Sequence, residues 1–597
     1  MTSGRKARFL GAVLIAGLGC GPAGAEERAA PELVASESGA ALAPGIVTAA
    51  PPAPRGAGEN HPGTEPVAEA APPLPPEQAA FRDALRAETA AFSEAERAAI
   101  EEFYAGRDFA PYWSADPAGI DALLSALGTA GAQGMPAGRY DAAGLGALFA
   151  APEAPAIRRE AAASRAFLRY AGDLNSGVLR PSRVDPEIDV RPVRIAPGAL
   201  LARLDTAPVA SVLADLAPPS PDYARLIAEK ARLESAGAAG EWGPAVAEGP
   251  SLHPGDGGPR VAELRARLAR MGYGETAGAA AGETVAETAG ETVAETAADR
   301  FDPALRAGVE AFQRDHGLNE DGVVGQHTLA EINATPGDRL ARVVVNLERL
   351  RWQNTAFGER YILVNIPDYR ATVYEGGAPV WTSRVVVGET KTRTAEFTQV
   401  MSFMVVNPTW HVPSSIAKRD LLPRLRRDPM ALARSNMQLM TRSGTVIDPR
   451  LVDWNALGDT FPFRIRQSPS DGNALGKVKF MFPNDHAIYM HDTPHRELFA
   501  RDARAFSNGC VRVQDPDGLA HLLLRDQVSD PARSFDDWVA GKAEKTVMLK
   551  DPIPVHIVYR TVFTDDQGVI RYRDDVYGRD AEVLDALTAA GVALPAA

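Results

Sequence analysis

Two cysteines stand in a chain of 597 residues, Cys20 and Cys510, and this scarcity constrains the fold more than any other feature. Cys20 lies in a segment that reads as an export signal. The mature chain then keeps one thiol and cannot form an internal disulfide. Apolar cores must hold it together. Hydrophobic residues make up 45% of the chain, and the length is too great for one core, so several domains are expected. A lone thiol in an oxidising compartment is a liability unless it has a use. The commoner fate of a free cysteine is a small buried hydrophobe. Three neighbours favour a nucleophile at Cys510. Gly509 leaves room for close backbone approach, His491 ends a strand-like run upstream, and Ser507-Asn508-Gly509 forms a turn that presents the thiol.

Residues 1–25 carry the marks of a signal peptide: Arg5, Lys6 and Arg8, an apolar run from Phe9 to Leu18, and Ala23-Gly24-Ala25 before Glu26. The apolar run is too short to span a bilayer. Lipid attachment at Cys20 is the weaker alternative, because Gly17 stands where a lipidation signal usually has Leu. No other stretch is long and apolar enough to cross a membrane. Loss of three cations with the signal takes the formal charge from −14 to −17. So acidic a chain is a poor partner for nucleic acid or anionic lipid. It suits an extracytoplasmic enzyme whose substrate carries free amines.

Residues 26–78 are rich in Ala, Pro, Gly and Glu and read as a disordered tether. From 79 to 240 the pattern is helical. Phe81, Leu85, Phe92, Ile100 and Phe103 recur at rough helical spacing, Phe109, Tyr112 and Trp113 supply aromatic core, and nothing looks catalytic. Residues 251–335 predict a small three-helix unit. Val261, Leu264, Leu268 and Met271 share one face, Ala304, Val309, Phe312 and His316 another, and Asp321-Gly322-Val323-Val324-Gly325 makes a turn in which Gly325 takes a positive φ. Within it, 274–298 holds a short duplication, Gly282 to Ala289 repeated as Gly290 to Ala297, read as an expanded, mobile loop. After Arg342 strands are expected, over Tyr361–Ile366, a hairpin turning at Glu375-Gly376-Gly377, Phe403–Val406, Lys477–Phe482 and Ala487–His491. Residues 411–460 are more basic and helical, like a lid inserted between strands.

His491 and Cys510 lie 19 positions apart. A thiol needs a base or a positive neighbour to attack at neutral pH, and an imidazole can take its proton and return it to a leaving amine. The amides of Asn508, Gly509 and Cys510 can converge as an oxyanion hole. His495 is a rival base in a loop and ranks below His491. Zinc is disfavoured, since a His491/His495 pair lacks further ligands, and no cofactor is expected.

These residues resemble the L,D-transpeptidase family with its YkuD-type catalytic domain. That family has a His, a spacer, then Ser/Thr-x-Gly-Cys. Ile488-Tyr489-Met490-His491-Asp492-Thr493-Pro494 and Ser507 to Arg512 fit it. Asn407-Pro408-Thr409-Trp410-His411-Val412-Pro413 and Asn473-Ala474-Leu475-Gly476-Lys477-Val478-Lys479-Phe480 resemble its long multidomain branch. The unit at 251–335 resembles a peptidoglycan-binding domain, and 79–240 that branch's scaffold. The fold implied is multidomain α+β: helical scaffold, three-helix binding unit, and a mainly β, sandwich-like catalytic domain over 340–580 with a helical lid.

The resemblance implies a peptidoglycan transpeptidase. Cys510 attacks the third residue of a tetrapeptide stem, D-Ala leaves, and a diaminopimelate amine resolves the thioester into a 3→3 cross-link. Water as acceptor makes it a carboxypeptidase; a non-catalytic wall-binding or scaffolding protein is the other alternative. A papain-like peptidase is disfavoured because there the Cys precedes the His. Asn508 stands where many members have a second His, so His491 must suffice, oriented by a backbone carbonyl, that of Asp492, in place of a carboxylate. Ser507 belongs to the same motif. Tyr489 contacts the donor or oxyanion, or is a strand aromatic in the core. Trp410 lines the donor pocket, or is a core Trp. Arg512 binds a stem carboxylate, or makes a salt bridge holding the Cys loop. Asn473 is a candidate substrate contact. Stem peptides and glycan are the expected partners, along with cell-wall synthesis proteins, with a monomer as the default state and the periplasm as the location.

Overall fold

A computed structural model describes residues 74–274, 299–458 and 460–595. The signal peptide, Cys20, all but the last few residues of the tether and the duplicated loop lie outside the described residues. Among those described, no helix is long and apolar enough to cross a membrane.

The chain is helical from Pro76 to Ala239. Helix Glu94–Ala105 starts at Ser93, whose hydroxyl accepts from the Glu96 amide while Glu96 reaches back to Ser93, satisfying donors the helix start leaves open. Ile100, Phe103, Tyr104, Trp113 and Phe167 are buried in one aromatic core. Glu160 sits in that core with no exposure because its carboxylate accepts from Tyr104 Oη at 2.7 Å and from the amides of Tyr112, Trp113 and Ser114 at 2.8 Å.

Three helices, Pro259–Arg270, Pro303–Asp315 and Gln326–Asn333, enclose Val261, Leu264, Leu268, Val309 and Phe312. The turn before the third is tied by Gln313, whose amide donates to Asp321 Oδ1 and the Val323 carbonyl at 3.0 Å and whose oxygen accepts from Gly322. Gly322 takes the positive φ, +71°, whereas Gly325 is extended at −76°. The expectation for Gly325 was therefore misplaced by three residues: the tight bend falls where Gln313 grips the backbone.

Strands do not begin at Arg342. Helix Pro336–Trp352 runs through that position and buries Arg339, Arg349 and Arg351. Such charges argue for a surface when read alone. Here they are paired: Arg351 with Glu348 at 2.9 Å, both side chains unexposed, and Arg349 with Asp580.

The main sheet has nine strands among the described residues. In chain order they are β1 (Arg360–Asn365), β2 (Arg370–Glu375), β3 (Ala378–Gly388), β4 (Phe397–Val406), then, after four strands of the insertion, β9 (Val478–Met481), β10 (Met490–His491), β11 (Ala505–Ser507), β12 (Val511–Val513) and β13 (Lys545–Val558). Their spatial order is β11-β3-β12-β10-β9-β4-β13-β1-β2, and β2 pairs back onto β3. The sheet thus closes on itself around Val364, Val385, Met404, Phe480, Met490 and Val511, so the sandwich layers are halves of one sheet. The insertion starts helical and then adds its own sheet from β5 (Trp410–His411), β6 (Met437–Met440), β7 (Val446–Ile447) and β8 (Arg464–Gln467), over a small core that includes Leu425, Trp454 and Ile465. Strands this short carry too little alternation to stand out in the sequence.

Candidate active site

Strand register puts Cys510 and His491 on one face of neighbouring strands. β10 and β12 are parallel, with Met490 opposite Val511 and His491 opposite Arg512. Met490 and Val511 are fully buried in the core. Side chains alternate along a strand, so Tyr489, His491, Cys510 and Arg512 all lie on the other face. The chain from Asp492 to Gly509, through β11, returns the thiol beside the strand that carries the imidazole.

His491 Nδ1 lies 2.5 Å from the Asp492 carbonyl oxygen. A carbonyl only accepts, so the proton sits on Nδ1 and Nε2 holds the free lone pair. Burial, with the Arg512 charge next, pushes His491 down to about 3. The imidazole is therefore neutral across the physiological range. The Asp492 carboxylate accepts from the Lys477 amide at 2.8 Å, the Thr493 amide at 2.7 Å and Arg496 at 2.8 Å, which locks the peptide that orients His491. Gly476 makes room for it. A Cβ there would stand 2.2 Å from Asp492 Oδ2, on a backbone at φ +60°. Gly476→Ala is expected to destabilise the catalytic domain by roughly 2 kcal/mol and to lower turnover on the order of 10²-fold by displacing His491. Urea unfolding and steady-state rates check both.

Cys510 is half-buried, and Sγ makes a weak contact with the Ala487 carbonyl at 3.8 Å besides its hydrogen bonding with Tyr489. Desolvation pushes the thiol up to about 11, opposed by hydrogen bonding from Tyr489 and by the Arg512 charge. Resting thiol and resting imidazole are both neutral. Ser507 Oγ donates to the Cys510 carbonyl at 2.5 Å and accepts from the Gly509 amide at 3.1 Å. The Gly509 amide is thus already engaged and does not join an oxyanion hole here. The amides of Asn508 and Cys510 have no partner among the described residues, so they are the open donors. Gly509 has φ +108°, which explains glycine at that position.

Tyr489 faces the site: its ring centroid is 5.6 Å from that of His491, its hydroxyl lies in hydrogen-bond reach of the thiol, and it is no part of the apolar core. Arg512 makes no ion pair among the described residues, and its buried Nε has no partner, so the salt-bridge reading fails. Asn473 is fully buried. Its amide donates to the carbonyls of Pro408 (3.0 Å) and Ser468 (3.1 Å), and its oxygen accepts from Leu475, so it ties two loops together and presents nothing to a substrate. Trp410 sits in β5 opposite Gln467, half-buried and outside the insertion's core. His495 is exposed beside Glu497. A cleft of about 290 Å³ opens next to Asp492, lined also by Asn407, Lys477 and Lys542, but neither Cys510 nor His491 lines it. Among the described residues no group of three or more His, Cys, Asp or Glu is placed to hold a metal ion.

Three residues beside the site were not singled out from the sequence. Lys479 is the β9 neighbour of His491, on the same face and half-buried. Strand alternation over Val478–Met481 was the signal available for it. Arg419 reaches from the insertion to the Asn508 side-chain oxygen, joining the insertion to the turn before Cys510. Thr394 is fully buried, with its hydroxyl on the Gly509 carbonyl.

Three parts of the chain are similar to known protein families. Residues 359–553 match the YkuD family, described as the L,D-transpeptidase catalytic domain; 98–229 match a scaffold domain, and 257–332 a "putative peptidoglycan binding domain". The match to the L,D-transpeptidase catalytic domain thus covers 359–553, about a third of the chain. It is 37% identical over 222 residues to a Haemophilus influenzae protein named "Putative L,D-transpeptidase"; the match covers 37% of this chain and 45% of that protein's length. An L,D-transpeptidase structure from Mycobacterium smegmatis is 13% identical, covering 34% of this chain and 58% of that one at TM-score 0.16. Another, from Stackebrandtia nassauensis, is 11% identical, covering 53% and 96% at TM-score 0.18. At such TM-scores these two likenesses carry no argument.

Proposed function

We propose that the chain is an exported peptidoglycan L,D-transpeptidase that forms 3→3 cross-links. The observation that carries this reading is that Cys510 and a neutral His491 with a free Nε2 lie on one face of adjacent strands, beside two open amides, in a region that matches this family. Sγ attacks the carbonyl of the third stem residue as Nε2 takes the thiol proton, so no ion pair has to exist at rest. The oxyanion faces the Cys510 and Asn508 amides. Collapse breaks the peptide bond, and D-Ala leaves with the proton from Nε2. The amine of a second stem then attacks the thioester, loses its proton to Nε2, and releases Cys510 as the thiol. Arg512 and Lys479, flanking His491, make this face cationic in an otherwise acidic chain, which suits a donor bearing carboxylates. The unit at 257–332 would hold the enzyme to its polymer, outside the cytoplasm.

Mass spectrometry of the purified chain with a disaccharide-tetrapeptide tests the reading. Dimers lacking one D-Ala are expected. Tripeptide alone would place water as the acceptor. Neither product, with no thioester on Cys510, would overturn the reading in favour of a wall-binding protein.

A further inference from the structure

The loop between β3 and β4, residues 389–396, joins the helical domain to the nucleophile. On one side it is held by the segment 185–189. Glu396 donates its amide to the Glu187 carbonyl at 2.8 Å and accepts at its own carbonyl from the Asp189 amide at 2.9 Å. Arg393 pairs with Asp185 at 3.2 Å and Glu187 at 2.7 Å. Arg579, wholly buried, bonds Asp185, Glu187, Glu396 and the Thr394 carbonyl. On the other side the loop grips the turn before Cys510. Thr392 Oγ1 and the Glu389 amide donate to the Ser507 carbonyl at 3.1 and 2.9 Å. Thr394 Oγ1 accepts from the Gly388 amide at 2.9 Å and donates to the Gly509 carbonyl at 2.8 Å.

That last bond matters because the Gly509 carbonyl and the Cys510 amide belong to one planar peptide unit. In a trans peptide they point in opposite directions. Fixing the oxygen therefore aims the N–H. Gly509, at φ +108° with no side chain, would otherwise let this plane rotate. We infer that Thr394 is a positioning residue, braced from the helical domain through Arg393, that holds the Cys510 amide toward the developing oxyanion. The inference rests on the reading of Cys510 as an acyl-accepting nucleophile.

Two reactions of the full chain at Cys510 separate this role from a merely structural one. Acylation by p-nitrophenyl acetate passes through an oxyanion; alkylation by iodoacetamide does not. Thr394→Val keeps the shape and removes the hydroxyl. Its acylation is expected to fall on the order of 10²-fold, with kcat reduced, KM little changed, and alkylation within twofold of the parent. Thr394→Ser should recover most of the rate. Arg393→Gln should show the same signature more weakly. Unchanged acylation in Thr394→Val overturns the inference. So does a parallel loss of alkylation, which would mean the thiol itself had moved, and so does a parent chain that is alkylated but never acylated. Unchanged acylation in Arg393→Gln overturns the brace from the helical domain. None of these readouts uses a stem peptide, so failure of the transpeptidase reading shows separately, as absence of cross-linked dimers from a parent that is still acylated.

Discussion

Cys510→Ala is expected to abolish cross-link formation, lowering turnover by roughly 10⁴-fold or more, because no other group in the site can form the thioester. The fold should be nearly untouched. Sγ is half-buried and its contacts, one at 3.8 Å with the Ala487 carbonyl and those with Tyr489, are weak thiol hydrogen bonds, so unfolding free energy should shift by only about 1 kcal/mol. Cys510→Ser is a stricter version, since it keeps the shape and supplies a poorer nucleophile. Intact-mass measurement after incubation with a tetrapeptide donor should show a thioester adduct on the parent and none on either variant. An adduct on the alanine variant would place the nucleophile elsewhere.

His491→Gln should cost about 10²–10⁴-fold in turnover, the usual range for a lost general base. Two pH measurements sharpen this. Because thiol and imidazole are both neutral at rest, iodoacetamide alkylation of Cys510 should rise with pH toward about 11, with no step near 6.5. A step near 6.5 would reveal a thiolate–imidazolium pair and overturn the neutral resting state. The second measurement is stability. His491 in the folded chain binds a proton only near pH 3, whereas in the unfolded chain it does so near 6.5. Above 6.5 both states are neutral and nothing is lost. As pH falls from 6.5 toward 3 the unfolded chain takes up the proton first, and stability drops by a few kcal/mol. The parent should lose this increment on acidification and His491→Gln should not, as read from urea midpoints at matched pH.

Much of the site was legible in the chain before folding. Ser507-Asn508-Gly509-Cys510 and the strand ending at His491 carry their chemistry in adjacent residues, and a loop of this length can return a thiol to a strand end. The helical start and the three-helix unit were legible too, because residues such as Val261, Leu264 and Leu268 recur at the period of a helix face. Helix 336–352 was not. Its buried arginines look solvated unless their partners, Glu348 nearby and Asp580 far along the chain, are seen. Asn473 was read as a substrate contact because it sits in a family-like motif. Its burial and four backbone bonds show that a motif can mark a knot in the fold as readily as a binding group.

By itself the sequence determined which residues can do chemistry: one thiol beyond the N-terminal segment, one histidine at a strand end, and a glycine beside the thiol that leaves the backbone room. Those are properties of side-chain type and local geometry. Only the tertiary structure decided which nitrogen of His491 is free, that Lys479 and Arg512 flank it, that Arg419 of the insertion reaches Asn508, and that Thr394 aims the Cys510 amide. Each depends on strand register or on contacts between segments far apart in the chain, and nothing in local spacing encodes those.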